Sequence, residues 1–123
     1  VSLTLKDYQK RAHTTAVYPA RFWMYPFLGL AGEAGELCNQ VKKVLRDEQV
    51  DSLEQLSDSR RAKMLDELGD VLWYAAEICT MLGVEMEEVA AANLTKLARR
   101  AENNTLHGDN REAMEDMDKI TRS

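Results

Sequence analysis

Apolar positions recur every three to four residues along almost the whole chain, and no stretch alternates apolar and polar residues as a half-buried strand would. That period predicts helices throughout. Thr4 followed by Asp7 is a capping signal for a first helix, which must end before Pro19. The aromatic segment YPARFWMYPF holds both prolines of the chain. It predicts a structured connector, with Pro26 in the first turn of a second helix over about 26–46. The polar stretch DEQVDSLEQLSDS predicts an exposed connection containing one short helical turn. A third helix is expected from near Ser59 to Gly83, a natural C-cap, and a fourth from about Glu85 to Glu102. NNTLHGDN predicts a loop, and residues 111–121 a last amphipathic helix or a tail. The fold class is therefore all-α, a four-helix-bundle-like core in one domain over 1–123, with the core at about 4–103 and a C-terminal loop and tail over 104–123.

Projecting the helices at about 100° per residue sorts their faces. On the second helix Glu33, Glu36, Gln40 and Lys43 share one stripe, which borders an expected core face of Leu30, Ala34, Leu37, Cys38, Val41, Val44 and Leu45. The third helix repeats the arrangement, with Glu67, Asp70, Tyr74 and Glu77 on the stripe. Its opposite side carries Gly69, Trp73 and Ala76 where a surface helix would be charged. A helix apolar nearly all round is enclosed from two sides, and Trp73, facing away from the core, predicts packing against another subunit.

Composition narrows the function classes. With 45% apolar and 30% charged residues, the chain reads as a soluble globular protein. A net charge of −5 without a long basic run argues against duplex nucleic acid as a partner. The apolar stretch VLWYAAEICTMLGV is too short and too interrupted to span a bilayer, and the start of the chain lacks a signal-peptide pattern. These features predict a cytoplasmic protein without a membrane partner. Cys38 and Cys79 form no CxxC pair and are expected as buried thiols.

The chemistry lies in two short strings, EAGE at 33–36 and ELGD at 67–70. Spacing of i, i+3 aims two carboxylates at one point about a turn apart. Acids on an enclosed helix need compensation, because an unpaired buried carboxylate costs several kcal/mol or becomes neutral. Salt bridges could supply it, in a helical interaction protein without enzymatic activity. A divalent cation could supply it too, since Glu33, Glu36, Glu67 and Asp70 together form a hard-oxygen set suited to Mg²⁺ or Mn²⁺. A di-iron bundle site is disfavoured, because neither His13 nor His107 follows a glutamate by three, and both are expected to be exposed. On the fourth helix Asn93, Lys96 and Arg100 share a face. That is either a solvated basic edge or, beside a carboxylate-bound metal, a grip for polyphosphate.

These strings resemble the MazG-like group of all-α nucleoside triphosphate pyrophosphohydrolases. The resemblance rests on ExxE at Glu33/Glu36 and ExxD at Glu67/Asp70, within GLAGEAGEL and DELGDVLWY, followed by N-x-x-K-x-x-x-R at Asn93, Lys96 and Arg100. YQKRAHTTAVYP and TLHGDNR are similar to small single-domain members, phage-encoded ones among them. The spacer between the acid pairs is longer than is usual in that group. The resemblance implies Mg²⁺-dependent cleavage between the α and β phosphates of a nucleoside triphosphate, for nucleotide-pool control or house-cleaning. It implies that Glu33, Glu36, Glu67 and Asp70 are catalytic metal ligands, with Glu33 or Glu36 as general base. Lys43, Asn93, Lys96 and Arg100 would bind the substrate, and the protein would be a homodimer or homotetramer. A hydrolase of another or a modified nucleotide on the same fold is the neighbouring reading.

Overall fold

The computed structural model describes residues 2–103, and the expected last helix over 111–121, like His107, lies outside them. Helix α1 spans Leu5–His13, α2 Tyr25–Asp47, α3 Asp58–Met81 and α4 Met86–Glu102, with a short 3-10 turn at Leu53–Gln55. Among the described residues there is no strand, so the fold class is all-α as expected. The chain divides into two compact units, Val1–Met86 and Glu87–Ser123.

Local chemistry sets the helix ends. Thr4 caps α1, its hydroxyl accepting from the Asp7 amide at 3.0 Å. Pro26 occupies the first turn of α2, where its missing N–H leaves no bond unmade. Ser57 caps α3 by accepting from the Arg60 amide. Gly83 closes α3 with φ +72°, a left-handed conformation that a side chain would resist. The flanking amides complete a Schellman cap, Gly83 donating to Thr80 and Val84 to Cys79.

In the first unit, α3 packs against α2 and against α1. The C-terminal half of α3 is enclosed, with Ala76, Glu77 and Cys79 buried. Two expectations change here. Trp73 is met by the same chain: its indole N–H donates to the Thr15 hydroxyl at 2.9 Å and to the Ala12 carbonyl at 3.3 Å, at the end of α1. The inward face of α2 runs through Pro26, Gly29, Leu30, Glu33, Leu37, Gln40 and Val44, whereas Val41, Leu45 and Cys38 are exposed. The helix is therefore turned toward its acid stripe, and Cys38 is not the buried thiol its apolar neighbours suggested. Cys79 is buried as expected.

The long spacer is anchored away from the acid pairs. Arg60 bonds Asp47 at 3.0 Å, and the Ser57 hydroxyl donates to Glu48 at 2.9 Å. The spacer's apolar residues Leu53 and Leu56 line a cavity with Val44 and Met64, about three turns along α2 from Glu33.

The α2–α3 approach is tightest where Gly29 faces the Tyr74 ring. A Cβ there would overlap Tyr74 Cε1, Cζ and Cδ1, and the ring is hemmed in by Trp73 and Tyr25. Gly29→Ala should therefore destabilise the protein by about 1–3 kcal/mol in urea unfolding. Gly35→Ala, with nothing near the added methyl, should stabilise it by up to about 1 kcal/mol through helix propensity. Equal effects at the two positions would refute the close approach.

Candidate metal centre

Glu33 sits on the inward face of α2, opposite Glu67 and Asp70 on α3. Each of the three offers a carboxylate oxygen, and these oxygens lie within 4.8 Å of one another. Glu33 and Glu67 are half-buried, while Asp70 is open to solvent. The i, i+3 spacing of ELGD brings Glu67 and Asp70 to one point, and α2–α3 packing delivers Glu33 to the same point. Glu36 is exposed and stands outside this group, although its charge still reaches Glu33.

The electrostatics are those of crowded anions. Burial, the largest cause, raises the Glu33 carboxyl above its ordinary value. A hydrogen bond with Glu67 raises it further, as do the charges of Asp70, Glu67 and Glu36. A carboxyl–carboxyl hydrogen bond needs a proton between the two groups. Among the described residues of this unit, none of the four acids forms a salt bridge. Such a donor set, anionic oxygens with no protein cation among them, fits Mg²⁺ or Mn²⁺.

Aromatic hydroxyls border the acids. Tyr74, one turn after Asp70, is raised by burial, by its hydrogen bond with Tyr25, and by the charges of Tyr25, Glu33 and Asp70. Tyr8 on α1 is raised by burial and then by Asp70. Both are therefore neutral O–H groups near neutral pH. Tyr25 lies 6.2 Å from the Tyr74 ring, and Tyr18 stacks on Tyr25 with centroids 4.7 Å apart. The Tyr18 hydroxyl donates to Glu77 at 2.6 Å, and His13 Nδ1 reaches both Glu77 oxygens at 3.2 and 3.3 Å. Expecting His13 to be an ordinary exposed residue missed this bond, which joins residues 64 apart in sequence. The available signal was Glu77 itself, an acid on the stripe of an enclosed helix, which has to find a donor somewhere.

The remaining expected site residues are placed as follows. Lys43 is half-buried on α2, ten residues beyond Glu33. Asn93, Lys96 and Arg100 lie on α4, in the second unit, where Asn93 and Lys96 are exposed and Arg100 is half-buried.

Residues 27–105 match the family model of the MazG nucleotide pyrophosphohydrolase domain, a span that includes both acid pairs and all of α4. The chain belongs to the MazG family. It is 39% identical over 113 residues to the Gene 37 protein of Mycobacterium phage L5, covering 85% of this chain and 96% of that protein. It is 34% identical over 92 residues to the uncharacterized protein YvdC of Bacillus subtilis (strain 168), covering 69% of this chain and 86% of that one. Neither name states an activity. No solved structure matches the chain. The MazG match supports nucleotide pyrophosphohydrolase activity in general.

The acid cluster makes stability depend on pH in a predictable direction. The folded Glu33 pKa is raised above its ordinary 4.5, so this group's contribution is complete below that value and is lost as pH climbs through the raised one. In EDTA, Tm should fall as pH climbs from the ordinary 4.5 through the raised value, and Glu33→Gln should flatten the fall. Mn²⁺ should raise Tm more at the alkaline end, where it meets no bound proton. Differential scanning fluorimetry with and without Mn²⁺ reads all three, and an equal Mn²⁺ effect at both ends would contradict the assignment.

Proposed function

We propose that this MazG chain hydrolyses (deoxy)nucleoside triphosphates to the nucleoside monophosphate and pyrophosphate with the help of Mg²⁺ or Mn²⁺. The observation that carries the reading is the convergence of Glu33, Glu67 and Asp70, with no salt-bridge partner among the described residues of their unit, inside the segment that matches the family. When bound, such an ion neutralises phosphate charge and makes water a better nucleophile near neutral pH.

The chain's own residues divide the remaining work. Glu33, Glu67 and Asp70 hold the cation. Glu36, outside that group, either adds a fourth oxygen or takes the proton of the attacking water at a carboxylate oxygen, and its exposure favours the second role. The water oxygen forms the new bond to phosphorus. The bond joining the α- and β-phosphates breaks, and its electron pair leaves with pyrophosphate. Lys43, Lys96 and Arg100 offset charge on the phosphate chain, and Asn93 donates to a phosphate or the sugar. The salt-bridged, non-enzymatic reading loses ground because the acids have no such partner in their own unit.

We further propose a homodimer or homotetramer. Val41, Leu45, Leu65, Leu68 and Leu72 are between 41% and 66% exposed on α2 and α3, more apolar surface than two neighbouring helices of a lone chain normally leave open. The cytoplasm is the proposed compartment, for pool control or house-cleaning of nucleotides. No helix among the described residues is long and apolar enough to cross a membrane. The net charge of −5 speaks against duplex nucleic acid as a partner.

Incubation with the eight common (d)NTPs and Mg²⁺ should release monophosphate and pyrophosphate from at least one of them. Glu67→Gln and Asp70→Asn should each lower kcat/KM about 100-fold or more. Glu36→Gln should lower kcat while Mn²⁺ affinity is kept. An inactive wild type, or fully active Glu67 and Asp70 variants, would sink the enzymatic reading; turnover confined to modified nucleotides would redirect it. Light scattering should give a mass of two or four 14.0 kDa chains, and a stable monomer at micromolar concentration would overturn the oligomer.

A further inference from the structure

Glu77 is the most enclosed ionisable side chain among the described residues, with only 1% of its side chain exposed. A buried carboxylate is a poor way to gain stability, since an apolar residue of similar volume often does as well or better. What it does impose is geometry, because both oxygens need donors in fixed directions. Here the donors come from two other parts of the chain: His13 Nδ1 from α1, and the Tyr18 hydroxyl, at 2.6 Å, from the aromatic connector.

The constraint does not end at Glu77. The Tyr18 ring stacks on Tyr25 with 21° between the planes. Tyr25 then sits against Tyr74, whose other side is met by Trp73 and whose ring fills the notch over Gly29. Tyr74 is one turn from Asp70 and one turn from Glu77 on the same helix. A continuous series of side chains thus runs from a buried carboxylate to the edge of the three-acid cluster, and it leaves Tyr74 few alternative rotamers.

We propose that Glu77 is a positioning residue of the acidic site: by accepting the Tyr18 hydroxyl it fixes the Tyr18–Tyr25 stack, and thereby holds Tyr74 as a hydrogen-bonding wall for the nucleotide beside Glu33, Glu67 and Asp70. This inference rests on the nucleotide-hydrolase reading above. Tyr74 is neutral and lies outside the acid set, so its contact serves bound substrate and transition state alike. Loosening it weakens nucleotide binding without slowing the chemical step and without touching cation affinity.

The test compares wild type with Tyr18→Phe, Glu77→Gln, the double variant and Gln9→Ala. Gln9 ties α1 to Thr80 and Val84 outside this series of contacts, so its variant reports what looser α1 docking does by itself. KM and kcat are measured on the best nucleotide of the panel. Calorimetry gives the Kd of Mn²⁺ alone and of the α,β-imido analogues of the four deoxynucleoside triphosphates. Tyr18→Phe and Glu77→Gln should each raise KM and the analogue Kd about five-fold or more, the loss of one ordinary hydrogen bond, with kcat and the Mn²⁺ Kd within about two-fold of wild type. The double variant should be no worse than the weaker single one, because both changes act through the same contact between residues 18 and 77. Gln9→Ala should lower Tm and leave KM unchanged. Unchanged KM in both single variants, additive effects, a matching loss of Mn²⁺ affinity, or an equal KM rise in Gln9→Ala would each overturn the inference while leaving the hydrolase standing. A wild type that neither turns over nucleotide nor binds Mn²⁺ would sink both.

Discussion

Much in the first unit follows from one constraint: α3 packs against both α1 and α2 and is enclosed over its C-terminal half, yet carries three acids on a single stripe. Glu77 is buried, Glu67 half-buried and Asp70 open to solvent, so the need for a partner is greatest at Glu77. The helix solves the problem in two opposite ways, two turns apart. At Glu77 the fold supplies the donors itself, from Tyr18 and His13. At Glu67 and Asp70 the described residues of this unit supply no salt-bridge partner, and a further carboxylate, Glu33, adds to the repulsion. A fold that can satisfy one buried acid with two hydrogen bonds has no need to leave the next cluster unsatisfied. On the metal-dependent reading proposed above, a bound cation supplies that cluster's compensation.

That contrast places stability and function on the same helix without setting one against the other. The crowded carboxylates weaken the folded state while they are ionised and have no cation, which is the usual signature of a preformed charged site. Close packing nearby keeps the weakness local. Gly29 lets α2 approach α3 at Tyr74, and Trp73 fastens the far side of the same turn to Ala12 and Thr15. Arg60, reaching Asp47 and Glu48, holds the other end of the α2–α3 pair. The acids thus sit between two fastened ends, which lets them face one another without prying the helices apart.

Much of this was legible in the chain because it is locally encoded. Thr4, Pro26 and Gly83 mark helix ends through their own backbone chemistry, and the two i, i+3 acid pairs fix carboxylate placement within one turn. Contacts across long sequence separations were not legible. Nothing near His13 announces Glu77, and nothing near Trp73 announces the end of α1. The distinction between Glu36 and the other three acids also needed coordinates, since all four share one spacing rule and only packing decides which carboxylates converge.

The phase of α2 differs from the one its apolar pattern predicts, for a different reason. A hydrophobic period reports every surface a sequence removes from water, whether the cover comes from its own chain or from another. On α2 the pattern centres on Val41, Leu45 and their neighbours, but the chain by itself buries Gln40 and half-buries Glu33. The mismatch amounts to a face specified as apolar and left uncovered by the first unit's own helices. On the homo-oligomer reading the two faces of α2 have separate tasks: the polar stripe builds the site against α3, and the apolar one meets a second copy. On that reading, the period tracks the larger of two covered faces, the apolar one, and the smaller polar face is the one turned toward α3.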